Sequence, residues 1–226
     1  MVNQVSFRED APVRFNEQPT VAEKIIGHFF SVIMHPVFVP VYVVAFLIYF
    51  HPDAFNGFSE NAKFKTLVIV GINLVFFPLL CVLLLRAVGF VSSILLQTRK
   101  DRIIPYIAVG IFYFWAYTVF RGQPQYPDLL VFFLLGIFLA SSAGLLANIY
   151  FKVSMHALGM GGMLGFFLVL FSTNSILMSW PLAFSIILSG LVSSARLMVS
   201  THHPRDLYVG LLLGMLSQFV AAIYIL

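Results

Sequence analysis

This chain has little of what a soluble protein turns toward water. Only 10% of its 226 residues are charged, nine acidic and thirteen basic, against about a quarter in an ordinary globular domain. Cysteine is nearly absent: Cys81 stands alone in an apolar run, which excludes an intrachain disulfide and offers nothing to activate a thiolate. No Cys/His group and no set of carboxylates has ligand spacing, so neither a metal nor a cofactor is expected. The opening MVNQVSFREDAPVRFNEQPT is polar and mixed in charge. It lacks an apolar h-region, so no cleavable signal peptide is expected. Low-complexity segments, internal repeats and a soluble domain are also missing.

What the chain does have is apolar surface. It is 60% hydrophobic and 16% aromatic, with a mean hydropathy of +0.96. A soluble fold of this size cannot hide that much, so the solvent is largely lipid. Spanning helices need about 20 apolar residues, and seven segments qualify: 25–50, 66–90, 103–121, 128–151, 155–172, 177–199 and 206–226. The expected fold is all-α, an integral membrane bundle of about seven spans over residues 25–226, behind a polar tail at 1–24. Pro36 and Pro40 should kink the first span. The stretch TVAEKIIGHFFSVI before them reads as an amphipathic lead-in along the interface, with Thr20 and Glu23 as its capping box. Small residues recur at 140–144, at Gly159, Gly161, Gly162 and Gly165, and at Gly210 and Gly214. Such spacing marks close helix packing and would permit a homodimer.

Seven spans sort the loops onto two faces. Ten Lys and Arg fall on the face of the N-terminal tail and three (Lys63, Lys65, Arg121) on the other. Setting aside four that belong to a candidate site leaves six against three, which points the tail toward the cytoplasm. The same parity puts three polar clusters at one face: QTRKDRIIP (97–105), KVSMH (152–156) and RLMVSTHHPRD (196–206). Ionisable groups at membrane depth are costly and usually line a polar cavity or pair with one another.

The chemistry of these clusters is that of an anion site. Crowded cations repel unless an anion joins them, and a phosphate suits guanidinium forks. Pro204 fits the first turn of the last helix, whose free amides add donors. His202 and Asp206 are four apart, so the carboxylate can hold one ring nitrogen and leave the other as nucleophile or base. His156 could protonate a leaving oxygen. The neighbouring His203 reads as an interfacial or capping residue, and His28 and His35 as interfacial or packed groups, with an entrance role as the alternative.

These residues resemble a known family. Arg196, His202 and Asp206 fit S-R-x5-H-x3-D, the third signature of the type-2 phosphatidic acid phosphatase superfamily, with Ala195 in place of its serine. Val153-Ser154-Met155-His156 is similar to the second, P-S-G-H, at Ser154 and His156. The first, K-x6-R-P, has Gln97 and Ile104 where the family has lysine and arginine, followed by Pro105. The resemblance covers about residues 97–214 and implies a six-helix phosphatase-like core that needs no metal. It implies His202 as nucleophile, Asp206 as its orienting partner, and His156 as the acid. It also implies that Arg196 holds phosphate with help from Ser154. Arg99 and Arg102, three apart on one helical face, and Lys100 between them are the candidates to replace the missing clamp.

Two function classes follow as expectations. One is a phosphatase of a lipid phosphate or diphosphate in a bacterial inner membrane. The other is a non-catalytic member that binds or moves a phospholipid or prenyl phosphate. A channel or proton-coupled carrier has less support, because the middles of the spans carry hardly any ionisable groups. Membrane lipids are the expected partners and nucleic acid is not.

Overall fold

The computed structural model describes residues 20–91, 93, 96, 98–199 and 203–226. Eight helices account for most of them: α1 Val21–Ile33, α2 Val39–Tyr49, α3 Glu60–Ala87, α4 Arg99–Arg121, α5 Asp128–Tyr150, α6 Met155–Thr173, α7 Ser175–Val199 and α8 Pro204–Ile225. From α3 onward all six are long and apolar enough to cross a bilayer. The protein is an integral, multi-pass all-α bundle, as its hydropathy predicts.

The first expected span is different in kind. A single helix over 25–50 does not form, because Pro36 falls in a break between α1 and α2. Pro40 sits in the first turn of α2, where a missing N–H costs nothing. At eleven residues, α2 rises only about 16 Å, half the thickness of the hydrocarbon core. α1 forms over the expected lead-in, with the expected capping box. Glu23 Oε2 accepts the Thr20 N–H at 2.7 Å, and Thr20 Oγ1 accepts the Glu23 N–H at 3.3 Å. Val21, Ile25, Phe29 and Val32 lie on its exposed side, as an interfacial helix requires. Gly27 and Ser31 are buried, and Gly27 approaches Val199 so closely that a Cβ would lie 2.7 Å from its Cγ1. That contact docks α1 on the end of α7.

Within α3, residues Ile72–Phe76 form a π turn just ahead of Pro78. A proline cannot donate into the ladder, and a locally widened turn absorbs the defect. The closest helix pair is α6 with α8, where glycines four apart on each helix interlock. A Cβ on Gly161 would stand 2.7 Å from Leu211 Cα, and one on Gly214 would stand 2.6 Å from the Gly162 nitrogen. The backbones are therefore in contact, which is what small-xxx-small spacing predicts. These glycine faces meet inside one chain. α5 packs on both α4 and α8; its buried Phe132 stacks on Phe166 of α6 and its buried Phe133 meets the same ring edge-on.

Candidate functional site

The starts of α4, α6 and α8 and the finishes of α5 and α7 meet at one face. Ser154 ties two of them together. It is fully buried, caps α6 by accepting the Ala157 N–H at 3.4 Å, and donates its own N–H to the Asp206 carbonyl oxygen at 3.2 Å. Asp206 is buried in the first turn of α8, and its Oδ2 accepts the His203 N–H at 3.1 Å. His203 is the N-cap of that helix, the capping role expected for it.

Arg102 reaches this junction from the first turn of α4. Its guanidinium is buried and donates from Nε to the Leu96 carbonyl at 2.8 Å and from Nη1 to the Val153 carbonyl at 2.7 Å. Leu96 is left-handed, with φ 48°, a conformation that costs a leucine roughly 1–2 kcal/mol; the bond to Arg102 helps hold it there. Arg102 lies within electrostatic reach of both Asp206 and Arg196. Among the described residues, two guanidiniums thus lie within electrostatic reach of one another and one of them within reach of the Asp206 carboxylate. At low dielectric that imbalance favours a further anion.

His156, in the first turn of α6, meets a neighbour from far along the chain. Its Nε2 lies 3.0 Å from the Ser31 carbonyl oxygen. A carbonyl only accepts, so Nε2 carries a hydrogen. Arg196 Nη1 donates to Ser31 Oγ at 3.4 Å. His35 packs edge-on against His156, with ring centroids 5.3 Å apart, and feels the charge of Arg196. The sequence does not single out Ser31, and His35 reads there as an interfacial or packed group; both meet His156 or Arg196 here. Their signal was present: Gly27, Ser31 and His35 recur every four residues, a narrow face on an otherwise lipid-facing segment.

Arg102, Arg196, Ser154, Asp206 and His156 therefore come together. Arg99 and Lys100 do not join them. Arg99 shares the face of Arg102, as a spacing of three predicts. However, it is exposed, and its Nη1 donates to the Tyr150 carbonyl at 2.8 Å and, at 3.5 Å, to Ile149. It caps the C-terminus of α5, where the helix dipole favours a cation. Lys100 is exposed at the rim. His202 and the first-signature position Gln97 lie outside the described residues.

An apolar groove of about 530 Å³ opens beside this cluster between α2 and α3, lined by Phe38, Val41, Tyr42, Val75, Leu79 and Leu83 among others. Phe38 connects the two, since its ring packs against His35 with centroids 6.1 Å apart. Set against models of protein families, characterised proteins and solved structures, the chain has no significant match.

Proposed function

We propose that the protein is an integral membrane phosphatase acting on a lipid phosphate or diphosphate, of the phosphatidic acid, phosphatidylglycerophosphate or prenyl diphosphate type. The observation that carries this reading is the meeting of Arg102 and Arg196 with Asp206, Ser154 and His156 at one end of the bundle. The excess of cations there favours a phosphate, and the adjoining α2–α3 groove suits an acyl or prenyl tail.

In the proposed reaction a ring nitrogen of His202 attacks phosphorus. The phosphorus–oxygen bond to the leaving group breaks, and its electron pair departs with that oxygen. Nδ1–H of protonated His156 supplies the proton, while Nε2 stays on the Ser31 carbonyl. Water then attacks the phosphohistidine, giving its proton to His156, and the phosphorus–nitrogen bond opens to return His202. Asp206 orients the nucleophile and Arg196 neutralises the developing charge. No metal or cofactor is invoked. The proposed setting is the cytoplasmic face of a bacterial inner membrane.

The test is phosphate release from a panel of lipid mono- and diphosphates by the purified full-length protein. Wild type should release phosphate and His202→Ala should not. His156→Gln should keep the donor to Ser31 and hence the fold, yet lose at least a hundredfold in turnover. Failure of the wild type on every substrate would sink the enzymatic reading.

One observation favours the second reading, a non-catalytic phospholipid- or prenyl-phosphate-binding protein. Arg102 and Arg99 spend donors on backbone carbonyls, and the first signature is altered around them. In that case His202→Ala leaves lipid binding unchanged while Arg196→Ala weakens it.

A further inference from the structure

The opposite face of the bundle carries its own feature, and it does not depend on the phosphatase reading. α4 and α8 both pack on α5, and the space between them is a groove of about 840 Å³. Leu135 and Leu139 of α5 form its floor, Phe114 of α4 and Val220 of α8 its walls, and Arg121 stands at its mouth with Tyr117 and Tyr224. Phe114 lies seven residues before Arg121, so the apolar walls run about 10 Å into the bilayer from the guanidinium.

Arg121 is unusual among the cations near the membrane. It donates from Nη1 to the hydroxyls of Tyr117 and Tyr224, and its Cζ lies 5.6 Å and 5.3 Å from the centres of their rings. Among the described residues no carboxylate stands within ion-pair distance of it. The two tyrosines fix the guanidinium over the groove without neutralising it. Tyrosine rings at this level also mark the membrane–water boundary. A fixed, uncompensated cation at the boundary above a narrow apolar slot matches an anionic lipid: phosphate on the arginine, one hydrocarbon chain along Leu135 and Leu139. Basic pockets between membrane helices recognise acidic headgroups in this way.

We infer that the α4–α5–α8 groove is a binding site for an anionic membrane phospholipid, held by Arg121 through its phosphate and by the groove through one acyl chain. Two parts recognise the ligand, so each is tested separately. The experiment is native mass spectrometry of the purified full-length protein titrated with dioleoyl-phosphatidylglycerol or dioleoyl-phosphatidylcholine. Thermal unfolding runs alongside, with inorganic phosphate as a third probe.

Wild type should bind phosphatidylglycerol in preference to phosphatidylcholine and gain thermal stability from it. Arg121→Gln should cut that preference about fivefold, the weight of one basic residue at an anionic surface. Leu139→Trp fills the slot and leaves Arg121 in place, and it should lower the binding of both lipids. Whatever stability inorganic phosphate confers should be the same in Arg121→Gln as in wild type, because the groove holds the lipid through its chain as well as its phosphate. The inference is overturned if Arg121→Gln keeps the full preference, because the acidic headgroup is then read elsewhere. It is equally overturned if Leu139→Trp binds as wild type does, or if inorganic phosphate stabilises the protein through Arg121 as well as the lipid does.

Discussion

Replacing Gly161 with alanine tests whether the backbone contact between α6 and α8 builds the site. The new Cβ would stand 2.7 Å from Leu211 Cα and 2.8 Å from its carbonyl carbon. Carbon atoms rest at about 3.5–4.0 Å, so the helices must separate locally by about 0.8 Å or more. The obstructing atoms are backbone, which no rotamer change relieves. Overpacking of this kind costs about 1–3 kcal/mol. The displacement also bears on the hydrogen bond from Ser154 N–H to the Asp206 carbonyl, now 3.2 Å, which would stretch to about 4 Å and forfeit about 1 kcal/mol. Together these amount to about 2–4 kcal/mol, or roughly 5–15 °C in a chain of this size.

The assay is thermal unfolding of wild type, Gly161→Ala and Gly190→Ala in one detergent. Gly190 is the control, since a Cβ there meets nothing within 4 Å. Its replacement should be neutral or stabilising by up to about 1 kcal/mol. Phosphate release should fall further than stability does, because Ser154 and Asp206 move apart and misplacement of about 1 Å can cost a hundredfold. A Gly161→Ala protein that melts within about 2 °C of Gly190→Ala would refute the argument.

Other perturbations read the remaining contacts. Arg102→Met removes the donor from two carbonyls, those of Leu96 and Val153, and should cost about 2–6 kcal/mol in thermal unfolding, at about 1–3 kcal/mol for each orphaned acceptor. Arg99→Ala should cost only about 0.3–1 kcal/mol, the weight of a cation at a helix C-terminus, with phosphate release unchanged. A loss of release comparable to that of Arg196→Ala would return Arg99 to the phosphate site. In the loop after α2, the ring nitrogen Nδ1 of His51 accepts the N–H groups of Asp53 at 3.2 Å and Ala54 at 3.1 Å. Burial holds that imidazole below its usual value, against the opposing pull of Asp53. Its folded-state value is depressed, so its contribution is complete above the unfolded value and is lost as pH falls through the folded one. His51→Asn keeps an acceptor but cannot titrate, and should flatten the acid side of the stability–pH profile; an unchanged profile would clear His51.

The amino-acid sequence by itself determined the solvent, the six long helices from α3 onward and the face on which the polar groups gather, but not the break of the first expected span at Pro36. Those properties are local and periodic: runs of apolar residues set the spans, their parity sets the faces, and spacings of four set the glycine contact of α6 with α8. The capping roles of Thr20 and His203 were legible for the same reason, since each acts within three residues of itself. What only the tertiary structure decided are the long-range choices. Ser31 meets His156 across 125 residues because Pro36 breaks the first span and lets α1 fold back onto α7. Likewise, that spacing placed Arg99 and Arg102 on one face without saying which carbonyls each would find. Only the packing of α4 against the α5–α6 turn separated a helix cap from a buried cation in the site.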